Sequence, residues 1–244
     1  MKTLTNTMIL ALLLAVPMMS NAQTSDNPIM GVTEFTLLPG HEMQFIEGVK
    51  LWKECYKENN GAETFNVWKR FQGEGVVYAV TGFSPNWADM DKEDAASKAC
   101  RITAIRMIMP HVVKSEYNTT SPMPEYSRET LEGTKMVWVS FFRITNSTIF
   151  NEVAKEITNA IKSKEGMPRS YWYAFMGGGP EAPHYMISTP FTQFADLDVE
   201  RDGPWKVYEA AQGKKKSDDL RAKWRSIVEN SWSYLYTLNE ELSN

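Results

Sequence analysis

The chain carries one pattern twice. Phe35 and Trp87 lie 52 residues apart (87 − 35), and so do Phe142 and Phe194 (194 − 142). Each stretch opens on an apolar strand and closes on a matched pentapeptide, Trp87-Ala88-Asp89-Met90-Asp91 in the first copy and Phe194-Ala195-Asp196-Leu197-Asp198 in the second. A duplication of this length makes each copy one folding unit, and each unit must bury its apolar face against its twin.

Within the first copy, Val32 to Leu38 alternates Thr33, Phe35, Leu37 against Glu34, Thr36, Leu38, which predicts a half-buried strand. Pro39-Gly40 turns the chain. Met43, Phe45, Ile46, Val49, Trp52 and Tyr56 then recur at helical spacing up to Asn59-Asn60-Gly61. Two strands follow, Thr64 to Phe71 and Val76 to Phe83, joined at Gly73-Glu74-Gly75. A second helix runs from the acids Asp89 to Asp94 to Pro110, and Lys114 to Thr120 forms the last strand. The second copy repeats this order, with strand Val137 to Thr145, helix Ser147 to Lys164 and a hairpin around Gly177-Gly178-Gly179-Pro180. A helix over Asp218 to Val228 and strand Ser231 to Leu238 complete it. The expected fold class is therefore α+β, two ferredoxin-like βαββαβ repeats over residues 30–122 and 135–242. A proline-containing linker occupies 123–134, and an insertion over 199–216 interrupts the second copy.

The N-terminus predicts an export signal over residues 1–22. Lys2 precedes the apolar run Met8 to Met19, and Ser20-Asn21-Ala22 offers small residues for cleavage after Ala22. The run is short for a bilayer span and polar chain follows it, so the mature chain is expected to be secreted or periplasmic with no membrane span. Lys2 is the one charged residue removed, which takes the formal charge from −4 to −5. Such mild acidity excludes nucleic acid as the main partner, because phosphate binding needs a basic surface. Cys55 and Cys100 fall on the two helices of the first copy. An oxidising compartment allows them to join, and two buried thiols are the alternative, since the Cα separation is not written in the sequence.

Two ferredoxin-like units in one chain, each opening strand-turn-helix and closing on an aromatic-Ala-Asp motif, resemble a tandem member of the dimeric α+β barrel superfamily. More narrowly, the chain is similar to exported bacterial proteins of unassigned role. The resemblance covers roughly Met30 to Leu242. It implies a barrel-like pseudo-dimer, a barrel made by two four-stranded sheets facing each other with helices outside. Members of the superfamily include cofactor-free oxygenases and proteins that hold haem through a histidine, so His184 or His111 would have to serve here.

If Phe35, Leu37, Phe142 and Ile144 face the helices, strand parity turns Glu34 and Thr36 the other way, with Phe141 and Arg143 in the second copy. The same parity groups Asn66, Trp68 and Arg70 with Tyr171, Tyr173 and Phe175. Aromatic walls with a few convergent polar groups are the composition of small-ligand pockets. The candidate ligand-binding residues are thus Glu34, Asn66, Trp68, Arg70, Arg143, Tyr171 and Tyr173. A packed inter-sheet interface with Glu34 paired to an arginine is the alternative.

No metal site is expected, because none of the three histidines is spaced with another ligand as zinc requires. Gly177-Gly178-Gly179 precedes a strand rather than a helix, which excludes a phosphate loop. No motif calls for a cofactor. Three readings follow. The favoured one is an exported protein that binds a small hydrophobic or aromatic molecule between its sheets. The others are a cofactor-free oxygenase-like or haem-dependent enzyme, and a structural or interaction module. Whether the chain is an enzyme, and whether it is a monomer or a homodimer, the sequence leaves open.

Overall fold

The structure is a computed structural model that describes residues 28–244; the expected signal peptide, residues 1–22, lies outside the described residues. The elements run β1 (Ile29–Leu37), α1 (Glu42–Glu58), β2 (Phe65–Arg70), β3 (Val77–Ser84), α2 (Ala95–Thr103), β4 (Val112–Pro122) and β5 (Met136–Ile144). They continue with α3 (Ser147–Glu165), β6 (Tyr171–Phe175), β7 (Tyr185–Phe191), α4 (Pro204–Gln212), α5 (Lys214–Ile227) and β8 (Val228–Leu238). No helix among the described residues is long and apolar enough to cross a membrane.

Local chemistry sets the boundaries. The α1 stripe of Phe45, Val49 and Tyr56 is buried, and the helix stops where Asn60 takes a left-handed φ of 61°. The Asp94 carboxylate caps α2 by accepting from the backbone N–H groups of Ala96 and Ser97 at 3.0 and 3.2 Å. Asn146 caps α3 through Ile149 N–H, and Gly166 ends it at φ 86°. The repeated pentapeptide forms a short 3-10 turn in both copies. Asp196 there accepts from the N–H groups of Thr192 and Gln193, while Asn86 accepts from Asp89 N–H.

The expected pair of ferredoxin-like repeats with sheets merely facing one another is corrected by the strand ladder. All eight strands join in one closed antiparallel barrel, ordered β1-β3-β2-β8-β5-β7-β6-β4, with the helices outside. Two junctions between the halves close it. β2 meets β8 from Trp68↔Leu238 to Arg70↔Tyr236, and β4 meets β6 from Thr120↔Phe175 to Pro122↔Tyr173. Closure leaves no sheet edge unpaired, which is its physical advantage over two open sheets.

Nor are the halves self-contained. Leu242, from the C-terminal tail, is fully buried in the first half's core with Leu37, Phe45, Val49, Val67, Tyr78 and Ile108. The tail is held there by Asn239 N–H to Val67 carbonyl at 2.7 Å and by Val67 N–H to Ser243 Oγ at 2.9 Å. Tyr126, from the segment between the copies, is buried in the second half's core beside Ile144, Phe150 and Tyr185.

Outside the barrel, α1 and α2 lie close enough that a side chain at Gly48 would meet the Met107 carbonyl oxygen. They are joined by a Cys55–Cys100 disulfide with a Cα separation of 5.8 Å. Replacing both cysteines by serine is expected to cost about 4 kcal/mol in urea unfolding, from the loop it closes. Leu242→Ala is expected to cost about 2–4 kcal/mol in the same measurement. A loss under about 0.5 kcal/mol would mean that the tail does not complete the first half's core.

Candidate functional site

Barrel closure leaves a cavity of about 720 Å³ inside the barrel, half open to solvent. Because side chains alternate across each strand, every second residue points inward. β1 contributes Met30, Val32 and Glu34, β2 Asn66 and Trp68, and β4 Lys114, Glu116 and Asn118. β6 contributes Tyr171, Tyr173 and Phe175, while β8 sends in Trp232, Tyr234, Tyr236 and Leu238. Two segments outside the strands complete the wall, Thr130 to Thr134 and the Gly179 to Pro183 part of the β6–β7 hairpin.

Five of the seven sequence-derived residues therefore meet in one lumen: Glu34, Asn66, Trp68, Tyr171 and Tyr173. Arg70 and Arg143 stand apart from it. Both belong to the inward parity, but they sit at strand ends, where long side chains can turn to other partners. The Arg70 guanidinium stacks 4.5 Å over the Tyr234 ring and donates to the Glu74 carbonyl. Arg143 pairs with Glu181, and with Glu229 at 3.3 Å. The alternative of Glu34 paired to an arginine is not what forms.

Glu34 is instead held from across the lumen. The Tyr236 hydroxyl donates to Glu34 Oε1 at 2.7 Å, although β8 and β1 are separated by β2 and β3 around the barrel. Burial, reinforced by the neighbouring Glu34 carboxylate, pushes the Tyr236 phenol far above its usual range, so it remains a donor. Burial, with the neighbouring Tyr171 adding to it, pushes Tyr173 up to about 12. On the adjacent strand Glu116 lies opposite Glu34 in register and pairs with Lys114 at 2.5 Å. The Trp68 indole donates to Thr81 Oγ1 at 3.0 Å, which fixes the ring. Phe141 stacks on Trp232 with centroids 5.5 Å apart. The lumen is thus an aromatic box with a carboxylate held in place on one wall.

Sequence reasoning missed Tyr236, Tyr234, Trp232 and Glu116. The alternation of Trp232, Tyr234 and Tyr236 carried the signal for one shared face, but not which face. Tyr78 and Tyr185 occupy matching positions and both turn to the helices. Tyr78 donates to Glu42 at 2.8 Å, and Tyr185 stacks on Phe150 at 3.8 Å.

Two further cavities lie between the sheet and the helices, of about 550 Å³ in the second half and about 430 Å³ in the first. No histidine lines either of them or the lumen. His41 and His111 bring their Nδ1 atoms within 3.0 Å of each other, and His184 Nδ1 accepts from Ile144 N–H at 3.1 Å. Haem held by a histidine therefore does not fit the residues present. Among the described residues no cluster of three or more His, Cys, Asp or Glu could hold a metal ion.

The comparisons place this architecture among known ones. No family model matches the chain, and no curated protein matches it in sequence. Solved structures do match in fold. A candidate monooxygenase from Lactobacillus acidophilus NCFM aligns with a TM-score of 0.53 at 9% identity, covering 89% of this chain and 98% of that one. An anthrone oxidase-like protein gives 0.54 at 11%, covering 89% and 93%. Chlorite dismutase from Candidatus Nitrospira defluvii, in a mutant form, gives 0.53 at 11% with the same coverages. These neighbours are dimeric α+β barrel proteins. At such identities the likeness is one of fold.

The Tyr236–Glu34 bond yields a prediction with a definite sign. Tyr236 and Tyr173 titrate above their unfolded values in the folded chain, so their stabilising contribution is complete below about pH 10 and is lost as pH rises beyond it. The melting temperature should fall above about pH 10, less steeply in Tyr236→Phe. That variant should also lose about 1–2 kcal/mol at neutral pH, because the Glu34 carboxylate loses its donor. An unchanged alkaline profile in Tyr236→Phe would contradict the buried bond.

Proposed function

We propose that the barrel lumen binds a small aromatic molecule and that the chain oxidises it with dioxygen as a cofactor-independent oxygenase. The observation that carries this reading is the Glu34 carboxylate, fixed by the Tyr236 hydroxyl inside an aromatic-walled lumen of about 720 Å³. Fold neighbours named as a candidate monooxygenase and an anthrone oxidase-like protein support the same chemistry.

The substrate class follows from the box. A flat molecule packs against Trp68, Tyr173, Phe141 and Trp232, and needs an acidic C–H, such as a methylene between two aromatic rings that conjugate it with a carbonyl across the ring system, within reach of Glu34. Glu34 takes that proton, and the Asn66 amide donates to the oxygen that gains negative charge. The carbanion passes an electron to dioxygen, a C–O bond forms, and protonation gives a hydroperoxide. Loss of water then leaves a carbonyl. One oxygen atom ends in the product and the other in water, so the methylene's oxidation balances the reduction of dioxygen.

This activity is proposed to lie outside the cytoplasm, in the secreted or periplasmic space, on the strength of the export pattern in residues 1–22. A disulfide between Cys55 and Cys100 suits that setting.

Oxygen uptake with anthrone as the probe substrate tests the reading. The expected outcome is uptake and quinone formation above the spontaneous rate, reduced at least about 100-fold in Glu34→Gln and also lowered in Asn66→Ala. Anthrone should raise the melting point of wild type and Glu34→Gln alike, because the aromatic walls are intact in both. Stabilisation without turnover in the wild type would leave a binding protein and remove the enzyme. Turnover equal in Glu34→Gln would remove Glu34 as the base.

A further inference from the structure

We infer that the molecule taken by the lumen carries a positively charged nitrogen, seated against the aromatic wall with Glu34 as its counter-ion. The inference rests on the lumen being a binding site, and it adds the charge of the occupant, which aromatic packing alone leaves open.

The charges around the cavity sort into a rim and an interior. Among the described residues four charged side chains line it: Glu34, Glu116, Glu181 and Lys114. Lys114, the one cation of the four, pairs with Glu116 at 2.5 Å, and 65% of its side chain is exposed. Glu181 pairs with Arg143, which does not line the cavity, and 89% of the Glu181 side chain is exposed. Both pairs are satisfied close to water. Glu34 is left. It is half-buried and makes no ion pair among the described residues; its partner is the neutral Tyr236 hydroxyl at 2.7 Å. A carboxylate withdrawn from water is costly to keep charged unless a cation faces it, and one hydroxyl replaces only part of its hydration.

The walls supply the rest of a cation site. Trp68, Phe141, Tyr173 and Trp232 line the same space, and the electron-rich face of an aromatic ring attracts a cation within about 6 Å of its centre. One wall ring already takes part in such a contact, since the Arg70 guanidinium lies 4.5 Å from the centre of Tyr234. The Trp68 N–H is committed to Thr81 and the Tyr236 hydroxyl to Glu34. What these rings have left to offer a guest is therefore their faces. A metal ion does not suit this set, because Glu34 is a single ligand in it and rings supply none; among the described residues no larger cluster of metal-binding side chains forms. An anion meets three carboxylates and one ammonium that is already paired. An organic ammonium answers both features at once, filling space against the rings and bringing charge to Glu34.

The same charge favours the oxidation proposed for this site. A cationic nitrogen near the reacting carbon makes its C–H more acidic and stabilises the carbanion left when Glu34 takes the proton.

Three anthracenes that differ in one substituent test the inference by titration calorimetry: 9-(aminomethyl)anthracene, an ammonium at neutral pH; 9-anthracenemethanol, which is neutral; and 9-anthracenecarboxylate, an anion. Wild type should bind the ammonium about 10-fold more tightly than the alcohol, and the carboxylate about 10-fold more weakly than the alcohol. Glu34→Gln keeps an acceptor for the Tyr236 hydroxyl. It should bring the ammonium down to the alcohol's affinity while the alcohol itself stays within about 2-fold, which shows that the lumen is intact. Equal affinities for all three in the wild type would overturn the inference and leave the lumen a binding site. An ammonium preference that survives in Glu34→Gln would also overturn it. If none of the three binds, the lumen is not a site for such molecules and the inference goes with it.

Discussion

Two short ladders hold the architecture together. β2 with β8 and β4 with β6 are the strand ladders that join one half to the other, and each spans three residue pairs. Without them each half would present two strand edges to water and its inner face would be bare. With them the eight strands share one interior, and Glu34 and Tyr236, from opposite halves, come within hydrogen-bonding distance across it. The lumen, its aromatic lining and its carboxylate all follow from closure. The C-terminal tail strengthens the first junction, since it continues from β8 and lodges Leu242 in the partner half's core.

Duplication gave the halves one frame, and divergence gave them different work. The second half carries the added helix α4, which packs Val207 and Tyr208 against Val153, Ile157 and Ile161 of α3. The first half has no such helix and has a disulfide between α1 and α2 instead. Matching tyrosines show the same drift on a small scale. Tyr78 satisfies its hydroxyl on Glu42, whereas Tyr185 lies flat on Phe150. Lumen residues are divided as well: the first half supplies the strand-borne carboxylates Glu34 and Glu116, and the second supplies most of the aromatic wall together with Glu181 on its hairpin.

The sequence was most informative where one strand's own alternation decided the outcome. Glu34, Asn66, Trp68, Tyr171 and Tyr173 each oppose an apolar neighbour on the helix-facing side, so parity alone placed them together. Arg70 and Arg143 obey the same parity, yet their length and their positions at strand ends let them fold back to Glu74 and Glu181. Tyr236 was out of reach because the facing of β8 depends on its register with β2 and β5. Closure itself was illegible for a related reason. Pairing between strand edges is made by backbone groups, which are the same in every residue, so no side-chain pattern distinguishes two facing sheets from one barrel.

The central claim is that the lumen is an open, ligand-sized space with Glu34 presented to its occupant. A crystal structure of the chain grown with a polycyclic phenol tests this most directly. The account predicts the ring system among Trp68, Phe141 and Trp232, with an oxygen or acidic carbon facing the Glu34 carboxylate. A lumen filled by its own side chains, or the phenol lodged only in the clefts beneath the helices, would contradict it.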